Sequence, residues 1–238
     1  MKSAIVVGAS SGIGRELARL LSQNGYKVGL TARRYELLAS LQQELPLPSV
    51  IKEMDVSHAS DAMHQMRELI HDLQDVALVI ISAGVGTLNP EMDWYHEADT
   101  IETNVTGFAA VANVAVQHFT QQSSGHLVGI SSIAALRGGD ASPAYYASKA
   151  FQSNYLQGLR KKMAKLQLPV TITEVQPGLV NTAMAQGEGL FWVAPVEKAA
   201  RQIYDAISSR REHVYVTKRW RLIAWLIKFM PASLYNKM

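Results

Sequence analysis

The chain has 238 residues, 48% of them hydrophobic and 18% charged, which is enough apolar material for a large core in one domain, or at most two. It has no cysteine, so disulfides and thiolate metal sites are excluded, as suits a reducing compartment. The net charge of +3 and pI of about 9.0 form too mild a bias to argue for nucleic acid.

The chain opens with a short apolar run, SAIVV, that leads straight into glycines. It reads as a first strand rather than a signal peptide, so a cytoplasmic protein is expected. Further strands are expected at YKVGLTA, SVIKEMDV, VALVIISAG, GHLVGISS, VTITEVQPG and HVYVT. Most are nearly continuous in Val, Ile and Leu, the mark of parallel strands buried on both faces. Helical patterns lie between them. The first carries Ile13, Leu17, Leu20 and Leu21 on one face and stops at Asn24-Gly25. Others cover Tyr35–Glu44, Ala59–Leu73, Glu97–Gln121, Pro143–Leu166 and Pro195–Ser209. No linker or short-period repeat interrupts the alternation. The expected fold is α/β: a doubly wound, mostly parallel seven-stranded sheet with helices on both faces, spanning residues 1–238 as one domain. Ligands of such sheets bind beyond the carboxyl ends of the strands.

Candidate site residues are sought there. After the first strand comes GASSGIG, with Gly8, Gly12 and Gly14. Glycine permits a tight turn and close approach of backbone to phosphate, and the N-terminus of the next helix attracts a pyrophosphate. At the end of the second strand, where a carboxylate would grip a ribose 2′-hydroxyl, stands Ala32, followed by Arg33 and Arg34. Guanidinium groups bind a 2′-phosphate that a carboxylate would repel. Ser10, Ser11 and Arg15 are expected to add donors and positive charge. The cofactor expected is therefore NADP(H) in preference to NAD(H).

The segment SPAYYASKAF places Tyr145 and Tyr146 four and three residues before Lys149. Both spacings reach one helix face, so spacing alone does not choose between them.

The chain resembles the single-domain short-chain dehydrogenase/reductase family over nearly its whole length. GASSGIG, Asp55-Val56, Ser82–Gly84, Asn104–Gly107, Ile130–Ser132, Tyr145–Lys149 and Pro177–Thr182 carry the resemblance, in order. It implies a Tyr-x-x-x-Lys pair, which selects Tyr145, with Ser132 thirteen positions earlier and Asn104 in the fourth helix. Tyr145 is then the general acid/base, Lys149 lowers its pKa and bonds the nicotinamide ribose, Ser132 polarises the carbonyl, and Asn104 holds a relay water. Tyr146 is left to line the pocket or pack. The resemblance further implies cofactor contacts from Gly8, Ser10, Ser11, Gly12, Ile13, Gly14, Arg33 and Arg34. Asp55 and Val56 would edge the adenine, and Ser82, Ala83 and Gly84 the adenosine ribose. Pro177, Gly178, Val180 and Thr182 would flank the nicotinamide, beside Tyr145 and Lys149. Ser82 departs from the family's usual asparagine, and Val180 serves equally as core. Association as a homodimer or homotetramer through the fourth and fifth helices is also implied.

The expected activity is hydride transfer between NADPH and a carbonyl or secondary alcohol of a small-molecule substrate. A sugar-nucleotide epimerase or dehydratase, and a non-catalytic NADPH-sensing regulator, are the alternatives. Residues 183–195 are expected to form a substrate lid, mobile at Gly187 and Gly189. Leu190, Phe191 and Trp192, with Trp94 and Tyr95, would favour an apolar or bulky substrate. No metal site is expected: the seven histidines lack ligand spacing, His64 and His71 read as exposed, and Met54, Met63 and Met66 read as core. The Asn104 sequon goes unmodified without secretion. The tail, residues 218–238, is apolar and basic, with no acid after Glu212. It is too short to span a bilayer. It either packs on the protein, on the sheet or at an oligomer interface, or makes a peripheral membrane contact, which would be at the inner membrane face.

Overall fold

The computed structural model describes residues 1–185 and 191–236. Seven strands form one sheet: β1 (Ser3–Val7), β2 (Lys27–Ala32), β3 (Ser49–Glu53), β4 (Val76–Ile81), β5 (Gly125–Ile130), β6 (Val170–Pro177) and β7 (His213–Val216). Their order is β3-β2-β1-β4-β5-β6-β7, and every pairing is parallel. All seven expected strands are present. Parallel neighbours require crossovers, and the helices supply them.

Alternate residues of each strand serve opposite cores. Ala4, Val6, Leu78 and Ile80 face α1 (Gly12–Gln23), α2 (Tyr35–Glu44) and α7 (Val196–Ser208). Ile5, Val7, Val79 and Ile81 face α3 (Ala59–Leu73), α5 (Phe108–Gln121) and α6 (Pro143–Lys165). Full burial of Phe108 and Phe119 stabilises the second layer by roughly 2–3 kcal/mol each. Met54 and Met66 are core and Met63 packs against it, while His64 and His71 are exposed.

The fourth helix differs from expectation. It starts earlier, as α4 (Trp94–Ile101), because Asp93 caps it by accepting from the Tyr95 amide at 2.9 Å. A π-helical turn, Glu102–Gly107, then separates α4 from α5. Such turns store local irregularity and recur at functional sites. After β7 come α8 (Trp220–Phe229) and α9 (Ala232–Tyr235). Among the described residues no helix is long and apolar enough to cross a membrane.

One buried histidine ties β5 to β6 and gives a pH signature. His126 Nε2 lies 2.7 Å from Thr173 Oγ1, and that hydroxyl donates to the Arg211 carbonyl. Thr173 therefore accepts, and His126 is the neutral Nε2–H tautomer. Burial, then the nearby Arg210 charge, lowers its pKa from 6.5 to about 4. Between those values the unfolded chain holds a proton that the folded chain refuses. Stability is thus full above pH 6.5 and falls as pH drops toward 4. Urea titrations are expected to show His126→Gln losing about 3 kcal/mol of this acid-side decline. An unchanged decline would assign it elsewhere.

Candidate active site

The strand order reverses between β1 and β4, and the carboxyl ends of these strands open a crevice there. The glycine loop after β1 is pressed against the chain after β4. Ser82 and Ala83 donate their amides to Val7 O at 2.8 and 2.9 Å. Gly8 sits at φ +88, where a Cβ would lie 2.5 Å from Ala83 N. A Cβ on Gly14 would meet Gly8 O at 2.2 Å. Gly14 therefore lets α1 pack under the loop, and it is buried rather than cleft-lining. Ser11, in extended conformation, precedes α1 without capping it through its side chain. The amides of the first turn remain available to an anion.

A continuous cleft of about 1500 Å³ runs from this loop to α6. Gly8, Ser10, Ser11, Gly12 and Ile13 line one end, with Ala32, Arg33, Arg34, Asp55 and Val56. Ser82, Ala83 and Gly84 line its floor, and Tyr145, Lys149, Pro177, Gly178, Val180 and Thr182 line the far part. Val180 is buried in the first core and also borders the cleft. The glycine cradle, the uncapped helix start and the cleft volume fit a dinucleotide.

The two arginines behave differently. Arg34 Nη2 donates to Ser10 Oγ at 2.9 Å and Ser11 Oγ at 2.8 Å, which fixes the loop hydroxyls. Arg33 acts on Asp55. Burial pushes that carboxyl up, but two hydrogen bonds from Ser57 and the Arg33 charge bring it below its ordinary value. Arg15 does not serve the cleft as expected. It pairs with Glu44 of α2 at 2.6 Å and donates to Leu37 O at 3.0 Å, so its charge is spent between α1 and α2.

Three of the four candidate catalytic side chains line the cleft. Ser132 lies two residues beyond β5, caps a short 3-10 turn by accepting from Ala134 N at 3.1 Å, and favours the ionised form of the Tyr145 phenol. Lys149 Nζ lies 5.7 Å from the Tyr145 ring centroid. Asn104 stands behind them, fully buried in the π turn. Its Oδ1 accepts from Val85 N at 2.9 Å, and its Nδ2 donates to Val85 O at 2.7 Å and Ser148 Oγ at 3.0 Å. The Asn104 side chain thus clasps the β4 loop to α6. Tyr146 lines the cleft, packs over Gly139 and meets Tyr145 edge-on at 6.0 Å.

One expectation about this group is corrected. The Tyr145 phenol is not acidified here: burial raises its pKa, and Ser132 only partly offsets that. The ammonium itself is strained by burial, which brings Lys149 down from 10.5 to about 8. Sequence reasoning also missed Gln152. Its Oε1 accepts from Lys149 Nζ at 3.1 Å, and its Nε2 donates to the Asn104 main-chain carbonyl at 2.8 Å. That amide links the buried ammonium to the π turn. Its only sequence signal was the i,i+3 spacing from Lys149.

The substrate end is apolar, but not as expected. Phe191 lines it, whereas Trp94 and Tyr95 are exposed on α4 and do not. The larger share comes from α8, through Trp220, Ile223, Leu226 and Ile227. Phe191 and Trp192 pack on Trp220, with ring centroids 5.3 and 6.4 Å away. Gly187, Gly189 and Leu190 lie outside the described residues. Among the described residues no cluster of His, Cys, Asp or Glu could hold a metal.

The family model for short chain dehydrogenases matches residues 2–190. An oxidoreductase of Myxococcus xanthus is 36% identical over 188 residues, which cover 77% of this chain and 74% of that one. One of Staphylococcus epidermidis is 31% identical over 208 residues, 87% of this chain and 89% of that one. An archaeal alcohol dehydrogenase from Thermococcus sibiricus, solved with 5-hydroxy-NADP, superposes with a TM-score of 0.81. It is 21% identical, and the match covers 91% of this chain and 96% of that one. The chain belongs to the short-chain dehydrogenase/reductase family. It is an NAD(P)-dependent oxidoreductase of small molecules.

Proposed function

We propose that this chain is an NADPH-preferring carbonyl reductase, working reversibly as a secondary-alcohol dehydrogenase, on apolar or bulky substrates. The observation that carries the reading is that Ser132, Tyr145 and buried Lys149 line one cleft with the glycine loop, with Lys149 Nζ 5.7 Å from the Tyr145 ring. When bound, the nicotinamide supplies hydride to the carbonyl carbon. The chain manages the proton and the charge. Tyr145 gives its hydroxyl proton to the carbonyl oxygen, and its raised pKa keeps that proton in place at neutral pH. Ser132 donates a hydrogen bond to the same oxygen as negative charge develops there. Lys149 holds positive charge next to the phenol as it ionises. Asn104, with Gln152, holds Lys149 and the β4 loop in register.

Gly8 to Ile13 would hold the pyrophosphate, Asp55 and Val56 the adenine, Ser82 to Gly84 its ribose, and Pro177 to Thr182 the nicotinamide. Ala32, Arg33 and Arg34 support NADPH over NADH, as does the 5-hydroxy-NADP in the archaeal relative's structure. The apolar α8 and Phe191 wall supports an apolar substrate. A homodimer or homotetramer through the π-interrupted helix and α6 is the assembly we favour, with the tail as a peripheral membrane contact.

The test is steady-state oxidation of NADPH and NADH over ketones of graded length, for the native chain and Arg33→Ala. Losing one charge-assisted contact is expected to weaken NADPH by about tenfold or more and NADH by far less. Equal losses would remove the 2′-phosphate argument, and cofactor binding without turnover of any ketone would favour a sensor.

A further inference from the structure

We infer that the outward face of α8 docks on an anionic lipid bilayer, and that the inward face of the same helix opens the substrate cleft to molecules dissolved in that bilayer. The second clause rests on the oxidoreductase reading of the site. The first does not.

The helix is apolar on both sides. Inward, Trp220 and Ala224 are buried, and the Trp220 indole lies so close over Gly178 that a Cβ there would fall 2.1 Å from its ring. Two bonds from the segment after β5 hold the end of the helix. Arg137 Nη2 donates to Met230 O at 2.5 Å, and Gly138 O accepts from the Tyr235 hydroxyl at 2.6 Å. With the helix so oriented, Leu222, Trp225, Leu226 and Phe229 point outward at i, i+3, i+4 and i+7. They are 55–69% exposed. A water-facing helix does not ordinarily carry such a stripe.

Charge selects the occupant. Lys218, Arg219, Arg221 and Lys228 lie on or beside this helix, and the sequence contains no acid after Glu212. A second copy docked stripe to stripe would bring two basic rims together. An anionic headgroup layer neutralises them, while the aromatic rings suit the boundary between headgroups and acyl chains. The ten-residue helix is about 15 Å long and lies in that plane rather than crossing it. Leu226 belongs to both the outer stripe and the cleft rim, so the two surfaces are continuous. The substrate class is then a long-chain or lipid-linked ketone or alcohol, entering from the membrane side.

The test uses the full chain with vesicles of phosphatidylcholine, alone or mixed three to one with phosphatidylglycerol. The native protein is expected to co-sediment with the anionic vesicles at least about tenfold more strongly than with the neutral ones. Leu222→Gln/Trp225→Gln/Phe229→Gln is expected to lose sedimentation, yet to keep turnover of a short, water-soluble ketone. Arg221→Glu/Lys228→Glu is expected to lose the anionic preference. With a long-chain ketone, anionic vesicles should raise kcat/KM for the native chain and not for the triple variant. Native protein left in the supernatant with both lipids overturns the docking. So does efficient crosslinking of Trp225→Cys to a second copy, a clean probe because the chain has no cysteine. Turnover of the soluble ketone reports on the site alone, so its absence sinks the reading of the site while sedimentation still decides the docking.

Discussion

Tyr145→Phe is expected to lower turnover by about a thousandfold or more while NADPH binding changes only a few-fold. The substitution removes one hydroxyl and keeps the ring that lies against Lys149 and Gly86. Tyr146→Phe is expected to remain within about tenfold of the native rate, because Ser132 acts on the Tyr145 phenol and not on that of Tyr146. General-acid contributions of this kind span roughly a hundred- to ten-thousandfold, so the two variants should separate cleanly. Single-turnover reduction with saturating NADPH reads the chemical step directly. A large loss in Tyr146→Phe with a small one in Tyr145→Phe would reassign the acid.

Lys149→Met should show two effects at once. Turnover falls, because no ammonium then faces the ionising phenol. Stability changes too, and its sign follows from the pKa. Burial lowers Lys149 from 10.5 to about 8, so between those values the unfolded chain keeps a proton that the folded chain has released. The native protein therefore gains stability as pH rises through that window. From pH 7.5 to 9.5 the gain is about 2 kcal/mol, and Lys149→Met should lack it. Urea unfolding of both proteins across that range checks the point. A difference between them that stays constant with pH would mean that Lys149 keeps its ordinary affinity for protons. Gln152 gives a further handle. It accepts from Lys149, so Gln152→Leu should lower the ammonium pKa further and extend the lower edge of the window to lower pH.

Much of this fold was legible because parallel strands buried on both faces need unbroken Val, Ile and Leu runs, and β1 and β4 supply them. The bounds of α2 and α3 could be read from their flanks, the charged and polar residues before Tyr35 and Ala59. The π turn could not: Glu102–Gly107 is rich in the weak helix formers Thr, Asn, Val and Gly, which says that the helix is locally weak but not that it widens, and the bonds at Asn104 join it to distant chain. The cleft-lining residues followed from the strand ends. The features that stayed hidden depend on partners far apart in the chain. Arg15 meets Glu44 twenty-nine residues on, and that pairing takes away the cofactor role its position suggested. The sign of the Tyr145 shift was hidden for a related reason: proximity to Lys149 is written in the spacing, whereas burial depends on distant chain such as Gly86, which packs against the ring. The direction in which the tail packs was equally open, because α8 is apolar on two sides and both outcomes satisfied its pattern.

The two ends of the crevice draw on stretches of chain far apart in sequence, with the Ser132, Tyr145 and Lys149 side chains between them. Residues up to Gly84 make the nucleotide end, and the wall opposite Tyr145 hangs largely on the helix beyond β7, the edge strand of the sheet. Exchanging the chain after Val216 is therefore expected to alter which molecules the apolar end admits more than the grip on adenine and phosphates.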